Sequence, residues 1–432
     1  MKTIIILLTV AFYINVNAQV VTTLAGTTTP GSVDGTGTAA RFNFPGAVAY
    51  DGNGNLFVAD AGNNEIRKIA ISTGVVTTLA GSTTSGSADG TGSAASFFGP
   101  TGVACDGSGN LYVVDAKNNE IRKVVIATGV VTTLAGSTTA GSADGTGAAA
   151  SFHIPTGIAC DGSGNLYVAD FLNNEIRKIV ISTGVVTTLA GTTTSGSADG
   201  TGSAASFNKP NGVACDVNGN LYVADTYNNE IRKIVTSTGV VTTLAGSTTA
   251  GSVDGTGVAA RFNAPGSVAC DSIGNLYVAD ENNNEIRKMI ISTTVVTTLA
   301  GSTTAGSADG TGTAARFNLP SGVACGANGS LYVADRKNHE IRKMDNTTGI
   351  NEMYNSIRFT VYPNPSNGIV FLSSERIISS FEIINSLGKE VYSSRVDSNK
   401  SEIDLNDQPK GIYFLRIKVG NDVATKKIII CK

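Results

Sequence analysis

Short apolar runs and polar turns follow one another in a fixed order along the chain, and that order recurs every 55 residues. The phrase Val-Val-Thr-Thr-Leu-Ala-Gly ends at Gly26, Gly81, Gly136, Gly191, Gly246 and Gly301, and Ile-Arg-Lys begins at Ile66, Ile121, Ile176, Ile231, Ile286 and Ile341. A period of this size marks a repeat architecture. Each copy predicts four strands. In the second copy, residues 102–105 form strand a, residues 111–114 strand b, residues 120–126 strand c and residues 130–135 strand d. The turns between them are short and rich in Gly, Asn and Asp, which pairs neighbouring strands antiparallel as a meander.

Polarity changes across the four strands. Strands a and b are apolar at consecutive positions, so both of their faces are expected to be buried. Strand c carries Glu and Arg beside Ile, and strand d carries paired threonines. A sheet covered on both faces at one edge and wetter at the other fits the blade of a β-propeller; a two-sheet sandwich would alternate cleanly throughout. There are six copies of each strand, but the first strand d, residues 20–25, precedes any strand a, and the last repeat loses its strand d after Gly349. The N-terminal strand is therefore expected to complete the last blade beside residues 340–344. The fold class predicted is all-β: a six-bladed β-propeller closed by the N-terminal strand, followed by a small C-terminal β-sandwich. A linear solenoid would want distinct capping repeats, and none is visible.

The first residues read as an address. Lys2 precedes an apolar stretch from Ile4 to Phe12, and Val16-Asn17-Ala18 offers a small-residue cleavage site ahead of Gln19. That is the layout of a secretory signal peptide over residues 1–18; a buried N-terminal strand is the alternative. The propeller is then expected over residues 19–346, with a linker at 347–356 and a second domain at 357–432. Of the 432 residues 15% are charged, and the net charge is −3 with no long basic run, which argues against a nucleic-acid partner. Beyond the leader no apolar run is long enough for a transmembrane helix. Two histidines, His153 and His339, are too few for a multi-histidine metal centre.

The run Pro-x-Gly-Val-Ala-x-Asp, then Gly-Asn-Leu-Tyr-Val-Ala-Asp, then Asn-Asn-Glu-Ile-Arg-Lys resembles NHL-repeat proteins. The naming triplet is best approached at Asn338-His339, where Glu340 takes the third place. The loop phrase at residues 309–318 also looks like bacterial secreted members. The resemblance implies the propeller fold; it says little about activity, since that family's propellers mostly bind partners and only some are enzymes. In the tail, Tyr362-Pro363-Asn364-Pro365, Leu387-Gly388-Lys389, residues 409–414 and Lys426-Lys427-Ile428 follow in the order that resembles the C-terminal sorting domain of the type IX (Por) secretion system. That resemblance implies a bacterium of the Bacteroidota, handling of residues 357–432 by the type IX machinery, and a secreted or cell-surface protein that passes through the periplasm. An ordinary accessory sandwich is the alternative.

Cys105, Cys160, Cys215, Cys270 and Cys325 share one register of strand a, where the first copy has Tyr50. Equivalent positions on neighbouring blades are expected to lie beyond the roughly 7 Å Cα separation a disulfide spans. They read as small buried side chains between blades, with a metal-binding thiolate ring as the functional alternative. The Asp-Gly-Thr-Gly loops raise calcium, but one aspartate per loop supplies too few oxygens unless loops converge. A tight-turn role is expected for those aspartates, and a bracing role for the aspartate that ends each strand b; no cofactor is assigned. In a meander the d–a loops and b–c turns share one face, and copy-to-copy differences concentrate there. The candidate ligand-binding residues on this face are Phe44, Phe98, His153, Lys209, Phe171, Leu172, Tyr227, Arg336 and Lys337. They point to a non-enzymatic binding propeller with an extracellular glycan, protein or matrix ligand. Neutral variation of exposed loops and a structural spacer compete with this reading, as does a six-bladed-propeller enzyme of the metal-dependent lactonase or lyase type. No catalytic or metal-ligating residues are assigned, because six-fold sameness works against the few unique groups an enzyme needs.

Overall fold

The computed structural model describes residues 19–346, 359–385, 389–419 and 422–431. The predicted leader and the predicted linker lie outside the described residues. The chain divides into two compact units, residues 1–346 and 347–432.

The first unit is a closed propeller of six antiparallel sheets. In blade 1 strand a is Pro45–Tyr50, b is Asn55–Asp60, c is Glu65–Ala70 and d is Val75–Gly81. The same four strands recur through blade 5, which ends at Gly301. Blade 6 takes strands a to c from Pro320–Cys325, Leu331–Asp335 and Glu340–Asn346. Its fourth strand is the N-terminal segment Gln19–Gly26, whose Val21 faces Met344 and whose Gly26 faces Glu340. The ring is therefore closed by the first strand, as its sequence requires. Each sheet also has a fifth, two-residue strand that the sequence pattern does not announce. Gly35–Thr36 of the d–a loop pairs with Val75 and Val76 of its own blade, and Gly310–Thr311 does the same for Val20 and Val21. This short strand covers the beginning of the outer edge that strand d would otherwise leave open.

Packing lies between blades. Ala49, Phe57, Ala59 and Ile66 of blade 1 meet Phe97, Val103, Leu111 and Val113 of blade 2 in one buried cluster, and the pattern repeats around the ring. A fully buried residue such as Phe57 or Phe97 contributes about 1.5–3 kcal/mol. The closing strand serves both neighbours: Val21 belongs to the cluster between blades 5 and 6, and Ala25 to that between blades 6 and 1. The glycine ending each strand d has a fixed reason. Gly81 sits at φ 89°, and a Cβ there would strike the Asn64 carbonyl.

In the tail, Phe359–Tyr362, Ile369–Asn385, Glu390–Asp404, Gly411–Val419 and Asp422–Ile430 form one antiparallel sheet. The long second strand pairs with the first, third and fourth, and a parallel bridge between Ser366 and Ile430 brings the last strand back near the beginning. The sheet is nearly closed around Val370, Leu372, Ile383, Ile403, Leu415 and Ile428, so a single curled sheet supplies both layers of the expected sandwich.

Candidate functional site

The d–a loops and b–c turns do share one face, and hydrogen bonds lock them together. Gly62 N–H donates to the Asn43 carbonyl at 2.7 Å, and Lys117, Leu172, Tyr227, Asn282 and Lys337 make the same bond in their own blades. Below this face, strand c carries a buried arginine. Arg67 is fully buried, as are Arg122, Arg177, Arg232, Arg287 and Arg342. In blade 3, Arg177 donates to Asp170 at 2.9 Å, to Asp144 at 2.8 Å and to the Ser151 carbonyl at 3.0 Å, with its guanidinium 5.3 Å from the Phe152 ring centroid. Asp170 also accepts from the His153 N–H and the Asn173 amide. The strand-b aspartates therefore brace the face, as expected, and burial opposes their charge while Arg, Asn and backbone N–H favour it. Two sequence readings are corrected. Strand c is not wetter at its arginine, and the Asp-Gly-Thr-Gly aspartates hold distant groups rather than their own turns: Asp144 accepts from Arg177 and from the Thr188 hydroxyl.

Beside each arginine lies the glutamate that opens strand c. In blades 1 and 5 the Ser32 and Ser252 hydroxyls donate to Glu65 and Glu285 at 2.7 Å. In the other four blades one carboxylate oxygen, on Glu120, Glu175, Glu230 and Glu340, is buried without a hydrogen-bond partner. Burial pushes these four up to about 7, against the pull of the neighbouring arginine. The folded chain thus holds protons that the unfolded chain releases near pH 4.3. Stability is expected to fall as pH rises from about 4.5 to 7 and to level off above, and the strand-b aspartates add to the same slope. Melting temperatures at pH 5, 6, 7 and 8 check this. The slope is expected to flatten when the four glutamates become glutamine, and a melting temperature that rises over the interval contradicts it.

The face carries three rings of equivalent positions. The first residue after each strand b forms the inner ring: Ala61, Ala116, Phe171, Thr226, Glu281 and Arg336. Phe171, Glu281 and Arg336, with Ala61, line a cavity of about 310 Å³ at the channel mouth, whose remaining wall is strand a of all six blades. The next residues, Gly62, Lys117, Leu172, Tyr227, Asn282 and Lys337, form the second ring. The third holds the residue before each loop proline: Phe44, Gly99, Ile154, Lys209, Ala264 and Leu319. All six have positive φ, between 49° and 60°. Five are pinned by an asparagine of the preceding blade, as Lys209 N–H is by Asn174 at 2.8 Å, and Phe44 N–H donates to His339 Nδ1 at 3.0 Å. The side chains before the loop proline, Gly99 apart, therefore leave from a backbone fixed in a costly conformation, a kind of strain that clusters at functional sites.

The structure brings some of the candidates together and not others. Phe171 and Tyr227 meet edge to face with centroids 6.2 Å apart, and Lys209 Nζ lies 4.4 Å from the Tyr227 centroid and 5.9 Å from that of Phe171. Arg336 shares the cavity with Phe171 and pairs with Glu281 at 3.3 Å. Phe44, by contrast, packs on His339, and Phe98 lies under Lys117 Nζ at 4.6 Å. His153 and Leu172 are half-buried and joined by a backbone bond, and Lys337 is exposed. Sequence reasoning passed over Glu281 and Lys117, though both break the sameness of the repeats. The opposite turns vary as well: Val217 and Ile273 stand there 88% and 84% exposed. The five strand-a cysteines are free and pack against the clusters between blades. Burial raises their thiols, to about 12 at Cys105 and Cys325.

Fold and face together define a closed six-bladed β-propeller with one asymmetric mouth. The chain carries NHL repeats, matched at residues 42–69, 207–234 and 317–344, and a secretion system C-terminal sorting domain, matched at residues 360–431. It is 31% identical over 341 residues to NHL repeat-containing protein 2 of Bos taurus, covering 70% of this chain and 46% of that protein. It is 30% identical over 322 residues to Protein SUPPRESSOR OF QUENCHING 1, chloroplastic, of Arabidopsis thaliana, covering 71% and 30%. The chain thus spans less than half the length of these relatives. Among solved structures, a protein of unknown function from Bacteroides thetaiotaomicron aligns with a TM-score of 0.60 at 22% identity over 76% of each chain. An auxiliary nutrient binding protein of the same organism gives 0.56 at 18% identity, again over 76% of each chain. These likenesses show the fold. The sorting domain marks the chain for export by the type IX system to the cell surface or beyond.

Proposed function

We propose that the exported propeller is a non-enzymatic binding module that presents its mouth to an extracellular ligand. In this reading residues 1–18 are a cleaved leader, the source is a member of the Bacteroidota, and residues 357–432 engage the secretion machinery. The observation that carries it is the convergence of Phe171, Tyr227 and Lys209 from two adjacent blades onto one rim of the cavity. Tyr227 is 56% exposed and Phe171 half-buried, so the pair is an aromatic corner, its rings at 78°, with a cation over Tyr227. Aromatic anchors of this kind dominate binding energy, and truncating one typically costs about 2 kcal/mol or more. The enzymatic alternative would rest on Glu281, whose carboxyl is raised by burial. Its one hydrogen-bond partner among the described residues is Arg336, a guanidinium that supplies neither a nucleophile nor a general base.

The test is a glycan array and a surface-protein pull-down with the full chain. A ligand is expected to be retained by the native chain and weakened about 30-fold by Phe171→Ala with Tyr227→Ala. A ligand whose binding ignores both substitutions would remove the mouth from the reading.

A further inference from the structure

We infer that the mouth takes an acidic carbohydrate, a hexuronate-bearing oligosaccharide, with its sugar ring against Phe171 and Tyr227 and its carboxylate drawn to the cations Lys209 and Arg336. This rests on the binding reading above and names the ligand class for it. The chain as a whole has a net charge of −3, yet the blade-specific charged residues of the three rings are Lys117, Lys209, Arg336 and Lys337 against Glu281 alone. Glu281 is already engaged by Arg336 at 3.3 Å. Among the described residues no carboxylate forms a salt bridge with Lys117, Lys209 or Lys337; Lys117 and Lys209 lie over aromatic rings instead. Of the charged groups common to every blade, the buried arginine is held below the face by its strand-b aspartate and by a half-exposed loop aspartate. Among the blade-specific side chains of the mouth the balance is thus positive, four cations against one carboxylate, and cations so placed hold an anion.

The neighbouring groups say what kind of anion. Phe171 belongs at once to the cavity wall and to the aromatic corner, so a ligand reaching into the cavity slides along an aromatic face. At about 310 Å³ the cavity sits at the small end of ligand pockets, which suits one ring-sized unit and leaves the rest of a chain outside. A saccharide ring is rigid and has an apolar C–H face, so it loses little freedom on stacking, whereas a flexible acidic peptide would have to order many rotors. Arg336 is 46% exposed and spends one donor atom on Glu281, leaving guanidinium N–H groups for a carboxylate. Lys209 enters the same rim from the neighbouring blade on a backbone held by Asn174.

Isothermal titration of the full chain with a galacturonate trisaccharide tests this, beside the neutral galactose trisaccharide and a short poly-glutamate peptide. The uronate is expected to bind, and Lys209→Gln to weaken it about tenfold, with affinity falling as salt rises. Tyr227→Ala, an exposed position, is expected to weaken it by a similar factor without changing the melting temperature. Equal binding of the neutral sugar or of the peptide, or indifference to Lys209→Gln, overturns the inference. A neutral glycan or a protein whose binding depends on Phe171 and Tyr227 would overturn it while leaving the binding function standing; indifference of every ligand to both aromatics would end both.

Discussion

A chain lacking residues 19–26 is expected to lose cooperative unfolding of the propeller altogether, and moving the same residues to follow Gly349 is expected to restore it. The truncated chain leaves Glu340–Asn346 paired only with Leu331–Asp335, its other edge open along its whole length. It also removes Val21 and Ala25, both fully buried, from the clusters on either side of blade 6. Val21 alone is worth about 1.5–3 kcal/mol of apolar burial. With each lost backbone hydrogen bond costing about 1 kcal/mol more, the sum reaches the whole stability of an ordinary domain, about 5–15 kcal/mol. The rescue follows from the other five blades, where strand d arrives directly from strand c through a short turn. Circular dichroism melting and protease resistance of the three chains check both halves. A truncated chain that melts like the native one would mean the ring does not depend on its closure.

The closure was legible because a repeat exposes its own exception. Six copies of Val-Val-Thr-Thr-Leu, with one ahead of the first strand a and one missing after Gly349, leave a single way to complete the circle. The variable face was legible for a related reason: against near-identical repeats, Phe171, Tyr227, Lys209 and Arg336 stand out where the copies differ. What pattern reading cannot supply is which of these side chains meet. Phe171, Lys209 and Tyr227 lie 38 and 18 residues apart in sequence and converge only because blades 3 and 4 are neighbours in the ring. Phe44 and Phe98 look equally promising in the sequence, yet they pair with His339 and Lys117 away from the cavity, whereas the Tyr227–Lys209 pair meets Phe171 of the cavity wall.

The buried arginines were misread for a physical reason. Charge in a strand normally signals solvent, since arginine is almost never fully buried unless paired. The signal that would have found the pairing is the constant spacing of Asp60 and Asp34 from Arg67, seven and 33 residues, held in all six copies while neighbouring loop positions change. The two-residue edge strands left no such trace, because Gly-Thr within a loop has no strand periodicity to show.

Arg177→Met is expected to destabilise the propeller by about 3–5 kcal/mol, because it leaves Asp170 fully buried with its charge unmatched. Arg177→Lys is expected to lose less, about 1–3 kcal/mol: an ammonium keeps the charge but cannot reach Asp170, Asp144 and the Ser151 carbonyl with one planar fork. Adding Asp170→Asn to Arg177→Met is expected to recover part of the loss, since the stranded carboxylate is gone. Denaturant midpoints of the four chains measure these differences. Because each blade packs only on its two neighbours, the losses from Arg177→Met and Arg342→Met, in blades on opposite sides of the ring, are expected to add. An Arg177→Met chain within about 1 kcal/mol of the native one would mean that the pair, though buried six times over, contributes no more than a surface ion pair does.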